Sequence, residues 1–398
     1  MNTATMSVAR GSDGVTVDKV AAWLLFAFVA SLQISIAAAN ILLTAVLLCW
    51  VVMLVQGRTR PSAPMFFVPL AAYAAMTLVA TAFSISPIES LVDSRQLLLF
   101  LIVPAVYEIA RGQRASSVLS VIISVGAVSA VYGIIQFGVL HYDSLGRRPE
   151  GAMSHYMTYS GLVMLVTCAA AARIIFGSRD RIWPALIMPA LVVALPLTFS
   201  RSAEVGVLLG VALLLVLKDF RLTALLPIAI ALFFAFAPDS VTDRMVSMFD
   251  MKDPTVRDRV AMLNTGRAMV ESDPLTGVGP NMVERLYPQY RDPNGVNATN
   301  PHLHNVPVQI AAERGLPALA IWGWLMVAIV VALAQVFQRA REHRVLAAAG
   351  LSAVVAMLGA GLFEYNFGDS EFLMLLLVLV TLPFAASRPD HAAASPRA

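Results

Sequence analysis

The stretch "AANILLTAVLLCWVVMLV", residues 38–55, holds no charge, no glycine and no proline. Wound as a helix at about 1.5 Å per residue, such a run crosses most of a hydrocarbon core about 30 Å thick. A helix at the surface of a soluble domain would carry a polar face, and this one is apolar all round. It therefore reads as a membrane span.

Working outward, comparable apolar runs begin near Val20, Met65, Leu97, Ser117, Met157, Trp183, Ala203, Leu222, Leu316, Val345 and Glu371. The chain is 58% hydrophobic and only 13% charged, with a mean hydropathy of +0.75. A membrane barrel would show short alternating segments instead of continuous runs. The expectation is an all-α polytopic membrane protein of about twelve transmembrane helices. The first residues, "MNTATMSVARGSDGVTVDK", lack the apolar core and cleavage site of a signal peptide, so the first span is expected to be retained.

Basic residues orient the spans. Arg58 and Arg60, Arg111 and Arg114, Arg179 and Arg181, Lys218 and Arg221, then Arg339, Arg341 and Arg344 occupy every second connection. Those connections face the cytoplasm, and an even span count places both termini there. The net charge of +3 is mostly this orientation signal and carries no nucleic-acid footprint. Charges inside spans are scarce, which weakens an ion-coupled transporter. Cys49 and Cys168 both fall within spans, and neither "GxxxxGK[ST]" nor "HExxH" occurs. No metal set and no cofactor is expected.

The predicted organisation is a transmembrane bundle over 1–238 (about nine helices), an ordered outward segment over 239–315, about three helices over 316–387 and a disordered tail over 388–398. The outward segment contains "NPHLHNVPVQIAAERG", residues 300–315, with two of the six histidines. Asn305 suits an N-cap, Pro307 a first turn and Gly315 a stop. In that helix Asn305, Gln309 and Glu313 form one polar stripe, with His304 at its start. His304 reads either as a solvated structural residue or as a general base. His302 and His304 would diverge in a helix and share a face in a strand.

Several outward arginines break the basic-inside pattern. They are Arg147 and Arg148 in "HYDSLGRRPEGAMSHY", Arg201 in "LTFSRSAEVG" and Arg259 in "PTVRDRVAMLNTGRAMVESDPLTGVGP". Arg201 lies in a tight turn near the hydrocarbon boundary, where it must pair with Glu204, reach water or meet an anion. In a helix over 257–272, Arg259 shares its face with Met262, Leu263, Gly266 and Val270. Such an arginine either pairs with a carboxylate or takes a phosphate in bidentate geometry.

These segments, in the order "LTFSRS", "VRDRVAML" with "ESDPLTGVGP", and "PHLHNVPVQIAAERGLPAL", resemble the O-antigen ligase family, which also includes O-antigen polymerases and bacterial protein O-oligosaccharyltransferases. "YGIIQFG" and "FEYNFGD" also look like family segments. The sequence departs at Leu263, where many members have Trp, and at Val308, where Leu is usual. The resemblance implies a fold like that of the polyprenyl-dependent membrane glycosyltransferases (GT-C), placed in the bacterial inner membrane with one large periplasmic loop. It implies metal-independent, inverting transfer of O-antigen from undecaprenyl pyrophosphate to a hydroxyl of lipid A-core oligosaccharide. It places His304, Arg201 and Arg259 on the catalytic positions. Arg147, Arg148, His302, Asn305, Gln309 and Glu313 are the expected substrate-binding residues. Polymerase or protein-modifying activity is the alternative, and a polysaccharide-lipid transporter the weaker one.

Overall fold

The computed structural model describes residues 17–178 and 180–389; the N-terminal stretch through Thr16, Arg179 and the tail from 390, with the expectations placed on them, lie outside the described residues. The described chain is helical, and no strand occurs in it. Helices α1 (Val17–Ser31), α2 (Ile36–Val55), α3 (Phe67–Ala82), α4 (Pro87–Asp93) and α5 (Ile102–Ile109) are followed by α6 (Gln113–Gly138) and α7 (Tyr156–Phe176). Then come α8 (Ile182–Leu197), α9 (Arg201–Lys218), α10 (Leu225–Phe236), α11 (Asp239–Val246), α12 (Pro254–Ser272) and α13 (Val283–Tyr290). The chain closes with α14 (Val306–Arg339), α15 (Arg344–Ala360) and α16 (Ser370–Ala386).

Each apolar run read from the sequence falls on one of these helices or on the 3₁₀ turns leading into α5 and α10. Among the described residues, six segments are long and apolar enough to cross a membrane, and four shorter apolar helices accompany them. The protein is thus a polytopic membrane protein. The runs joined by "SLQISIAAAN" separate at residues 32–35, because Ser35 takes an extended conformation and its hydroxyl accepts from Ala38 N at 3.4 Å, capping α2.

Helices from both ends of the chain share one core, in which α7, α15 and α16 are the most enclosed. Small residues allow this. In α9 a methyl group added at Gly206 would sit 2.8 Å from Ala356 O, and one at Gly210 would sit 2.9 Å from Ser352 O and 2.7 Å from Cys168 Sγ. Two glycines four apart let α9 lie directly on the α15 backbone, the small-residue contact typical of membrane helices. Gly210→Val should therefore force α9 and α15 apart. We expect a loss of folded protein in size-exclusion chromatography of detergent extracts, whereas Gly323→Ala, a position with open space around it, should match wild type.

The two ends of the bundle differ. At one end Arg388 donates to Glu108 at 2.6 Å and to Ser62 at 3.0 Å, Phe176 packs on Phe337, and Lys218 lies over Phe176. Arg111, beside Glu108, and Lys218 and Arg344, over Phe176 and Phe337, lie at this end. The other end holds residues 141–155, α11 to α13 and the turn after α15. Here Ser90 donates to Pro280 O at 2.7 Å and Thr158 donates to Asp369 at 2.5 Å, tying the outer segments to the bundle.

Candidate active site

Three corners of the fold converge at that end. The first is the turn from α8 into α9, where Phe199 takes a left-handed conformation (φ 54°) and Ser200 precedes Arg201. Arg201 is 5% exposed; its Nη1 donates to Ser247 Oγ at 3.0 Å and its Nη2 lies 3.9 Å from Asp253. Asp253 is also the N-cap of α12, accepting from Thr255 N and Val256 N at 2.8 and 3.2 Å, and it lies 3.5 Å from Arg244. Arg201 has no contact with Glu204 at ion-pair distance.

The second corner is α12, which starts at Pro254 instead of 257 and carries Arg259 one turn in. Its Gly266 is packed so closely on Leu303 that an added methyl would approach Leu303 Cδ1 to 2.8 Å. The absence of a side chain there seats α12 on the segment leading to His304. Asp258 lines the same cavity as Arg259 and holds the 296–297 loop, accepting from Val296 N, Asn297 N and Asn297 Nδ2. Arg259 makes no hydrogen bond or ion pair among the described residues. Burial pulls its guanidinium below its ordinary range, and Glu364 and Tyr156 act against that shift. Burial has the same effect on Arg148.

The third corner is the polar helix. Asn305 caps it as expected, accepting from Val308 N at 3.0 Å while its Nδ2 donates to Leu362 O at 3.0 Å. Gln309 accepts from Leu303 N at 2.7 Å, and Glu313 accepts from Asn281 N at 2.9 Å and from Arg314 at 2.6 Å. Much of the polar stripe thus works as scaffold. Gly315 (φ 80°) breaks the helix where a stop was expected, but the chain resumes helical geometry and continues to Arg339. The break leaves carbonyls without intrahelical partners, and "PLTGVG" (274–279) answers them: Val278 N donates to Ala312 O and Gly279 N to Glu313 O, at 2.9 and 3.0 Å. Gly277 (φ 67°) presses so close to Glu313 and Arg314 that a methyl there would meet their backbone at 2.5 Å.

His304 itself is held at φ 48°, a strained conformation for a residue with a side chain. Its Nδ1 lies 2.8 Å from Glu364 Oε2 in the turn after α15, and its ring meets that of His302 at 4.2 Å, edge to face. Burial alone would raise the Glu364 carboxyl, but His304, its hydrogen bond, His302 and Arg259 outweigh that and hold it down at about 2. Glu364 is therefore a carboxylate, and it must accept the His304 Nδ1 proton. In the neutral ring that arrangement leaves the lone pair on Nε2. Burial pushes His302 down to about 4, with Glu364 opposing the shift, so that ring is neutral.

Around this pair the protein is hollow. A cavity of about 240 Å³ is lined by Arg148, Arg201, Arg244, Arg259 and His304. An apolar groove of about 170 Å³ shares Arg201, Arg259 and His304 and runs over Val260, Leu263, Leu362 and Phe363. Leu263, from the predicted Arg259 stripe, thus faces this groove and not a packed core. Of the expected pair, Arg148 enters the cavity, its guanidinium 4.1 Å above the Tyr156 ring, while Arg147 sits outside over Tyr142. His302, Gln309 and Glu313 line a separate cavity with Glu364.

Sequence reading missed Arg244 and Glu364. Nothing sets Arg244 apart from the other arginines of residues 239–315 in one dimension. Glu364 stands in "FEYNFGD", a segment noted for its pattern without a chemical role. His302, His304 and Glu364 also have the donor types of a divalent-metal set, with ligating atoms within 4.8 Å of one another. The sequence pointed to no such set, because only the fold brings Glu364 between the two rings.

Residues 186–323 match the family model described as O-Antigen ligase. Over this segment the chain is similar to the O-antigen ligase family. No curated protein matches the chain. The family segment runs from within α8 into α14 and so includes Arg201, Arg244, Arg259 and His304, whereas Arg148 and Glu364 join the site from outside it.

Proposed function

We propose that the protein is a glycosyltransferase of the inner membrane that moves O-antigen from undecaprenyl pyrophosphate to a hydroxyl of lipid A-core oligosaccharide at the periplasmic face. One observation carries the reading: four arginines surround a single cavity beside a histidine whose far nitrogen is tied to a carboxylate. In this reading about twelve spans cross the membrane in a GT-C-like arrangement with both termini cytoplasmic.

The donor's pyrophosphate occupies the arginine cavity and its polyprenyl chain the apolar groove. Arg259, which has no internal partner among the described residues, is the group freest to take phosphate oxygens, and Arg201 approaches from α9. The acceptor hydroxyl lies against His304 Nε2. As its oxygen bonds to the anomeric carbon, the proton passes to Nε2 and the carbon–phosphate oxygen bond breaks. The electron pair stays on the carrier pyrophosphate, where the guanidinium charges meet it. Glu364 stabilises the imidazolium. Attack from the face opposite the leaving group inverts the anomeric centre. Ligase activity is favoured over polymerisation or protein modification because the outer segment is long and carries the whole histidine motif. Purified protein with lipid-linked donor should transfer glycan to lipid A-core; transfer only to a second donor or to a pilin-like protein would select the alternatives.

Here the arginines supply the charge neutralisation that a divalent ion gives elsewhere. Transfer should therefore persist in EDTA, with no stimulation by added magnesium, manganese or zinc. Loss on chelation, restored by one of these ions, would reassign His302, His304 and Glu364 as metal ligands.

A further inference from the structure

Beyond the histidine pair lies a second cavity, of about 300 Å³, whose lining has the opposite character. Asp93, Glu313, Glu364 and Asp369 line it, and no lysine or arginine does. The two cavities share Met157, and the His304–Glu364 pair stands between them, His304 lining one and Glu364 the other. The acidic cavity is a built site. Glu313 is 3% exposed and held from two sides. Asn366 is 8% exposed; its Nδ2 donates to Met357 O at 3.2 Å, and its Oδ1 has no partner among the described residues.

The polar lining thus combines four carboxylates with the side-chain amides of Gln96, Asn281 and Gln309. Such groups together suit a ligand that presents many hydroxyls, which is the chemistry of a sugar ring. Arg314, 2.6 Å from Glu313 and 3.8 Å from Asp93, offsets two of these carboxylates, while Glu364 and Asp369 repel an anion at close range. The volume is at the lower end for ligand pockets, suited to one ring and not to a chain.

We propose that this cavity is the acceptor subsite, and that the sugar residue it takes carries neither phosphate nor carboxylate. This rests on the transferase reading above. The division of labour is electrostatic: the anionic donor is drawn to the arginines and kept out of the acidic cavity, while the uncharged acceptor enters the latter and extends one hydroxyl to His304.

The test is binding, measured apart from turnover. Full-length protein in nanodiscs is offered a lipid-free oligosaccharide ending in a neutral hexose, or the same ending in a hexuronic acid, and affinities are read by saturation-transfer NMR titration. The neutral ligand should bind at least about tenfold more tightly. In the Asp93→Asn, Asp369→Asn double variant, where an amide side chain in place of the Asp369 carboxylate can still cap α16, that preference should shrink to about threefold or less. Equal affinities in wild type, or an unchanged preference in the double variant, would overturn the assignment. Selective sugar binding without any transfer from a lipid-linked donor would instead defeat the transferase reading, so the two failures are distinguishable.

Discussion

His304→Ala should lower the transfer rate by about 100-fold to 10,000-fold while the KM for the lipid-linked donor stays close to wild type. The base acts on a proton that moves only in the transition state, and the arginines that hold the donor are untouched. Glu364→Gln should follow in the same direction. A glutamine keeps the shape but cannot balance the charge that His304 gains, and its amide can turn an N–H toward Nδ1 and select the wrong tautomer. Glu364→Asp should recover part of the loss, which a purely structural residue would not show. The wild-type carboxylate is held down at about 2, so a decline in rate near neutral pH reports another group. His302→Ala should be milder than His304→Ala, because His302 lines only the acidic cavity. Wild-type turnover in His304→Ala, or a donor KM that rises in step with the fall in rate, would mean that the proton leaves by another route.

Arg259→Ala should cost on the order of 3 kcal/mol in transition-state stabilisation, about 100-fold or more in turnover. Its guanidinium is unpaired among the described residues, so its removal leaves no orphaned internal partner and the variant should insert and express normally. Arg201→Ala should be as severe for the reaction but also loosens the 244–253 corner, since Asp253 and Ser247 lose a neighbour. Arg259→Ala is therefore the cleaner measurement. Arg259→Lys should rescue only in part, because an ammonium group cannot engage two phosphate oxygens in a fixed plane. Comparison of Arg148→Ala with Arg147→Ala separates the paired arginines: only the first should impair transfer. Full activity in Arg259→Ala, with the protein correctly inserted, would remove the phosphate clamp.

Much of this was legible in one dimension because the rules are local. The apolar runs, the Asn305 cap, the break at Gly315 and the Arg259 face of α12 each depend on residues within a turn or two of one another. The choice between Arg147 and Arg148 was not legible, since neighbouring residues in an irregular segment point in directions that only packing sets. Nor could spacing assign the polar stripe: Asn305, Gln309 and Glu313 look alike on a helical wheel, yet their partners are residues 362, 303 and 281.

By itself the sequence determined that this chain lives in a membrane, where its apolar helices lie along the chain, and which arginines and histidine stand apart from the basic connections. Hydrophobic length, capping and charge bias are properties of contiguous residues, and a lipid solvent leaves the backbone few other ways to satisfy its hydrogen bonds. Tertiary structure alone decided that Glu364 meets His304 across 60 positions, that Arg244 joins the arginine cluster, and that an acidic cavity abuts a basic one. Those contacts come from how α12, α14 and α15 are brought together, and long-range packing is set by the shape of the whole core, which no short window of sequence contains.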